Sequence, residues 1–365
     1  MTMQVSTEAS RFRTAVDRQD AVARGGDRVA WVDFAKGWTI LLVVLMHATL
    51  GVGKQLDATG WTHVIVQFAK PFRMPDFFLI AGLFASAAIA APWRSFLDRR
   101  VVHFVYFYLL WMTILVMIRA IGGPVTAGVG QWLRALVDPY SSLWFIYVLP
   151  AMFLTARLAM HLPRIVVLAV ALGLHLLAAA HEDGGAYMMA ATLTGNTAID
   201  SFALFTVFFL IGHYARAPIF ALAAFVRANP GAGMVMLAPW ALMNWFAVVR
   251  GWLDVPGATF IFGLAGALAV IVFSVLLSRI PVFNWLAMLG RNSLVVYLAY
   301  ALPLAAVRMM LLRADMIDDP GLIAAVVTLA ALAIPLGLAK VGPRIGLGFL
   351  FRRPAWARLE PGRPG

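Results

Sequence analysis

Lys36 and His47 stand eleven residues apart in WVDFAKGWTILLVVLMHATLGVG (Trp31 to Gly53), a stretch apolar enough to cross a bilayer. At 3.6 residues per turn this spacing is almost three whole turns, so both side chains fall on one helical face, about 16 Å apart along the axis. An ionisable group at membrane depth costs several kcal/mol unless something compensates, and by default it marks a functional site. A neutral imidazole can take a proton from a hydroxyl and return it to a leaving group near pH 7, so His47 is a candidate general base. Asp33, one turn before Lys36, is within reach of an ion pair with it. Plainer roles exist for each: Lys36 as an anchor that snorkels to the interface, His47 as a hydrogen-bonded packing residue.

The elements that must position these residues are membrane helices. The 365 residues are 62% hydrophobic and 13% charged, with mean hydropathy +0.85, against about 25% charged residues in a soluble domain. The expected fold class is therefore all-α, a polytopic transmembrane bundle. Apolar runs bounded by charge, Pro or Gly fall at roughly 35–53, 64–90, 101–121, 142–160, 165–180, 200–215, 232–249, 257–278, 285–307 and 321–341, about ten spans. The second run is interrupted at KPFRMPD (Lys70 to Asp76), where two prolines forbid a continuous helical ladder and the irregular backbone must face protein or water. Expected boundaries are a flexible cytoplasmic tail over 1–30, a transmembrane domain over 31–342 and a basic cytoplasmic tail over 343–365. The first thirty residues lack the apolar core of a cleavable signal peptide.

Charge sets the orientation and excludes several functions. With the N-terminus inside, 21 of the 29 basic residues fall on the cytoplasmic side, which places both termini there. The net charge of +12 thus reads as topology, not as nucleic-acid binding. The absence of cysteine excludes disulfides, thiolate metal sites and a cysteine nucleophile. The remaining histidines show no metal-ligand spacing, so no metal and no bound cofactor are expected. Asp33 and Asp76 are the only acids close to the first two runs, a scarcity that favours an enzyme. A proton-coupled transporter or exporter of a polar solute, and a non-catalytic scaffold subunit, are the alternatives.

Four segments carry a likeness. DFAKGWTILLVVLMHA (Asp33 to Ala48), PFRMPDFFLIAGLFAS (Pro71 to Ser86), SLWFIYVL (Ser142 to Leu149) and LGRNSLVVYLAY (Leu289 to Tyr300), in this order, resemble the signature segments of the acyltransferase-3 family of integral membrane O-acyltransferases. The resemblance is to the branch of fucose 4-O-acetylase-related inner-membrane proteins. It implies a multi-pass protein of the bacterial inner membrane that moves an acyl group, commonly acetyl, from acyl-CoA to a hydroxyl of a carbohydrate or glycolipid. Lys36 and His47 match the family's basic residue and essential histidine, which makes His47, Lys36 and Asp33 the catalytic candidates. Arg99 and Arg100 match a basic pair at the start of the third helix, with His103 standing where a second spaced Arg is often found, and Tyr300 stands where relatives often have His.

Other residues take candidate roles beside these. Arg94, Arg99, Arg100 and His103 are candidates for the acyl-CoA phosphates, because arginine binds phosphate by paired charge-assisted hydrogen bonds. Topology signalling or contact with anionic membrane lipids explains the same cluster, and only Asp98 offsets it. Arg73 and Asp76 at the proline break suit a substrate or oxyanion contact, or an ion pair with each other. Trp144 and Tyr147 suit stacking on a sugar or anchoring at the interface. Asn292 and Ser293 are further acceptor-site candidates. The expected partners are acyl-CoA, the carbohydrate or glycolipid acceptor and membrane lipids, with a homodimer left open.

Overall fold

A computed structural model describes residues 29–121, 124–181, 193–255 and 257–359. The expected N-terminal tail lies, but for its last two residues, outside them. The described regular elements are all helices. The first, α1 (Ala30–Leu56), is about 40 Å long, with Asp33 in its first turn and Lys54 in its last, each matched to the helix dipole at its end. It is followed by α2 (Trp61–Ala69), α3 (Arg73–Leu83), α4 (Ala85–Ile89), α5 (Trp93–Ala120), α6 (Val125–Ala135), α7 (Trp144–Leu158), α8 (Arg164–Ala179) and α9 (Thr197–Tyr214). Then come α10 (Arg216–Ala228), α11 (Pro230–Val249), α12 (Ala258–Leu277), α13 (Asn284–Arg291), α14 (Ser293–Ala299), α15 (Ala301–Ala314) and α16 (Pro320–Val341).

Among the described residues, seven helices are long and apolar enough to cross a bilayer: α1, α5, Ser141–His161 around α7, α9, α11, α12 and Pro320–Ile345 around α16. The other three expected runs take different forms. The run expected over 285–307 is divided into α13, α14 and α15, and α14 and α15 meet at a 56° bend. The run over 165–180 is the 16-residue α8, and the run over 64–90 is the broken series α2, α3 and α4. The ten runs are therefore not ten continuous helices.

The break between α2 and α3 follows from its prolines. Pro71 lies in the turn, and Pro75 is the third residue of α3, where its missing N–H would have had no helical partner anyway. The carbonyl of Phe68, near the end of α2, receives a hydrogen bond from the Asn244 side-chain amide at 2.9 Å. Lipid could not supply that partner.

The chain divides into two compact units. One comprises the chain up to Ile40, Phe68–Ala87 and Phe208–Ser293. Within it, glycines let backbones meet: a Cβ on Gly82 of α3 would fall 1.9 Å from the Phe209 carbonyl oxygen, and one on Gly212 of α9 would fall 2.1 Å from that of Leu79. The α1 to α13 crossing is built likewise, with a Cβ on Gly290 placed 1.8 Å from the Asp33 carbonyl oxygen and one on Gly37 placed 2.0 Å from that of Leu286. The other unit comprises Leu41–Gln67, Ala88–Val207 and Leu294–Gly365. There α5 packs on α6 and α7, and α15 on α16. The Tyr297 hydroxyl donates to the Ser142 carbonyl.

Gly290→Ala is expected to cost about 1–3 kcal/mol through overpacking, lowering the thermal midpoint of the detergent-solubilised protein. Gly231→Ala, at a position with no atom near the added methyl, should leave the midpoint unchanged.

Candidate active site

In the first unit, the early turns of α1 present Asp33, Lys36 and Thr39. Asp33 Oδ2 lies 4.0 Å from Arg291 Nη1, at the last residue of α13. The Lys36 ammonium stands 5.6 Å from the centre of the Phe84 ring, a cation–π distance. Asp33 thus faces a second cation besides its expected role toward Lys36, from which it is three residues away on the same face. The Thr39 hydroxyl is hydrogen-bonded to the Asp76 carboxyl and lies 2.7 Å from the Ala35 carbonyl. Arg73 and Asp76, both in the first turn of α3, are buried at 1% and 0% exposure. Thr39 was not among the expected residues, because a threonine in an apolar helix carries no signal of its own. Asn292 donates its side-chain amide to the Met288 carbonyl at 2.8 Å, holding the end of α13, and Ser293 opens α14.

In the second unit, His47 meets Tyr300. Their ring centres are 5.5 Å apart and inclined by 39°. Tyr300 is 1% exposed and sits at the bend between α14 and α15. One turn beyond His47 on the same face of α1 is Gly51, where a Cβ would fall 1.8 Å from Arg308 Nη1. The Arg308 guanidinium therefore lies against the α1 backbone one turn from the imidazole. Its Nε is buried and has no hydrogen-bond partner among the described residues. Arg308 was not among the expected site residues, and a glycine four residues after His47 was the available hint.

The arginine cluster belongs to this second unit as well. Arg94 donates through Nε to the Leu359 carbonyl at 2.9 Å, and Arg99 is exposed. The Arg100 guanidinium stands 4.7 Å over the Phe153 ring, with its Nε buried and without a hydrogen-bond partner among the described residues. Residues Asp98–Val102 form a π-helical turn within α5, a feature frequent at functional sites. The His103 ring contacts Phe104 and Phe107 edge-on at 5.3 and 5.0 Å. Asp98, expected to offset the neighbouring arginines, pairs instead with Arg353 at 2.6 Å.

Trp144 and Tyr147 are held by packing. Trp144 is 7% exposed and stacks on Phe205 with ring centres 5.6 Å apart. Tyr147 donates its hydroxyl to the Leu136 carbonyl at 3.0 Å and meets the Tyr108 ring at 4.9 Å. Arg157, at the end of α7, was not among the expected site residues. Its Nη1 donates to the Ile89 and Ala91 carbonyls at 2.7 Å each, and its guanidinium lies 4.2 Å over Trp93 and 4.7 Å over Phe96. It closes the free carbonyl end of α4 and fixes the start of α5.

The family model described as "Acyltransferase domain" matches residues 29–340. The chain is 27% identical over 160 residues to the inner membrane protein YcfT of Escherichia coli (strain K12), covering 35% of this chain and 43% of that protein. It is 29% identical over 148 residues to the nodulation protein NolL of Sinorhizobium fredii (strain NBRC 101917 / NGR234), covering 39% of this chain and 40% of that protein. The chain thus spans less than half the length of both curated relatives. No solved structure matches it.

Arg157→Met removes the Nη1 donor and leaves the Ile89 and Ala91 carbonyls at the α4 end without it. A loss of about 1–3 kcal/mol is expected, measured as a lower thermal midpoint of the purified protein.

Proposed function

The chain belongs to the acyltransferase-3 family, and on that basis we propose that this polytopic membrane protein is an O-acetyltransferase of the bacterial inner membrane, moving an acetyl group from cytoplasmic acetyl-CoA to a hydroxyl of a cell-envelope carbohydrate. The observation that carries the reading is the surrounding of His47, with Tyr300 against its ring and the Arg308 guanidinium one helical turn away. The inner-membrane description of YcfT supports the location.

His47 acts as general base. It takes the proton of the acceptor hydroxyl as that oxygen attacks the thioester carbonyl, and a tetrahedral oxyanion forms. The Arg308 guanidinium lies where it can meet that developing charge. Collapse breaks the C–S bond, the ester remains on the carbohydrate, and the departing thiolate receives the proton from the imidazolium, which regenerates neutral His47. Tyr300 fixes the ring by packing. Arg94, Arg99 and Arg100 bind the donor's phosphates by charge-assisted hydrogen bonds, and the second unit carries them together with His47. Lys36, about 16 Å along α1 from His47, is too distant to share the proton, and Asp33 sets its position.

The test is transfer of radiolabelled acetyl groups from acetyl-CoA into an envelope-glycan extract by the protein in nanodiscs. His47→Ala should lower transfer by about 10²–10⁴-fold with the fold intact. Arg308→Gln should lower kcat by about 10²–10³-fold with little change in the KM for acetyl-CoA. Unchanged transfer by a folded His47→Ala protein would sink the proposal.

A further inference from the structure

The C-terminal residues carry a row of arginines that the proposed reaction does not use, and the fold brings several of them to the start of α5. The Tyr106 hydroxyl donates to the Phe349 carbonyl at 3.1 Å, and the Trp111 indole N–H donates to the Leu350 carbonyl at 3.0 Å. The Phe351 ring lies 5.7 Å from that of Trp111. Beyond these contacts, Arg353 Nη2 meets Asp98 Oδ2 at 2.6 Å and its Nη1 donates to the Asp98 carbonyl at 2.8 Å. The Leu359 amide N–H donates to Asp98 Oδ1 at 2.6 Å. Both side chains of this pair are only 8% exposed. Arg94 binds the carbonyl of the same Leu359.

From this we infer that residues 347–359 are a working part of the acyl-donor site, with Arg353 as a positioning residue that occupies Asp98 and so leaves Arg94, Arg99 and Arg100 available to a phosphate-bearing ligand of the coenzyme A type. The inference rests on the donor reading given above. An unpaired carboxylate at position 98 would repel phosphate and draw the adjacent Arg99 and Arg100 guanidinium groups onto itself. Arg353 and the Leu359 amide satisfy both oxygens of that carboxylate. The π-helical turn at Asp98–Val102 changes the angular spacing of successive side chains, so that Asp98 is buried toward the C-terminal segment while Arg99 is exposed. Segments 94–100 and 352–358 then combine six arginines with one aspartate, and that aspartate is already paired. Such a surface suits a ligand carrying several phosphate charges.

The experiment is calorimetric titration of coenzyme A into the full-length protein in phosphatidylcholine nanodiscs. Arg353→Met should weaken binding by about tenfold, and the same substitution in an Asp98→Asn background by less than about threefold, because the carboxylate it controls is gone. Arg353→Lys enters the same cycle if Arg353→Met does not fold, with the same ordering of the two losses. Equal losses in both backgrounds, or no loss in either, would overturn the inference. Arg99→Gln with Arg100→Gln separates it from the donor reading: their loss of binding beside an unaffected Arg353→Met removes the role of Arg353 alone. Absence of binding by the unaltered protein removes the donor reading and the inference together. In nanodiscs containing phosphatidylglycerol, coenzyme A should still bind with the same dependence on Arg353, and its displacement by that lipid would mark the arginines as a headgroup site and overturn the inference.

Discussion

Hydrocarbon offers no partner to a buried charge or to a free backbone carbonyl, and that constraint orders the polar chemistry of this chain. Asp76 has the Thr39 hydroxyl, the Arg157 guanidinium has the carbonyl end of α4 and two aromatic faces, and Asp98 has Arg353 and the Leu359 amide. Each polar side chain in these pairs comes with a segment that it also holds in place. Removing one partner strands the other, which is why buried polar pairs in such a protein are strong constraints on local structure even where their net contribution to stability is small.

The helix interruptions follow from the same constraint. A proline break frees backbone groups, and in this chain the broken ends are met by side chains: Asn244 at Phe68, Arg157 at Ile89 and Ala91. The bend between α14 and α15 falls at Tyr300, the residue packed against His47, and the π turn in α5 falls on the arginine cluster. Irregular backbone and candidate chemistry therefore coincide at two places in the second unit. Glycines do the complementary work at close helix crossings, where Gly290 and Gly82 let one backbone lie on another.

Much of this was legible in one dimension, for identifiable reasons. Hydropathy locates the helices because a span needs a long apolar run, and it fails at 64–90 and 285–307 only where proline or a sharp bend divides the run. Lys36 and His47 stood out because charge inside an apolar helix is rare. The partners were not legible. Thr39 meets Asp76 across 37 residues, Arg353 meets Asp98 across 255, and Arg308 reaches α1 from a distant helix. No local periodicity encodes such pairings. The packing of the Trp144 ring on Phe205 was no more legible.

The most direct measurement of the central claim is the balance between coenzyme A thiol released and ester formed on a carbohydrate acceptor, followed in one sealed proteoliposome preparation supplied with acetyl-CoA. The account predicts equal amounts of the two at every time point, with both absent when the acceptor is left out. Movement of a solute across the membrane with no thiol released would contradict it, and would place His47 in a transport cycle instead of an acyl transfer.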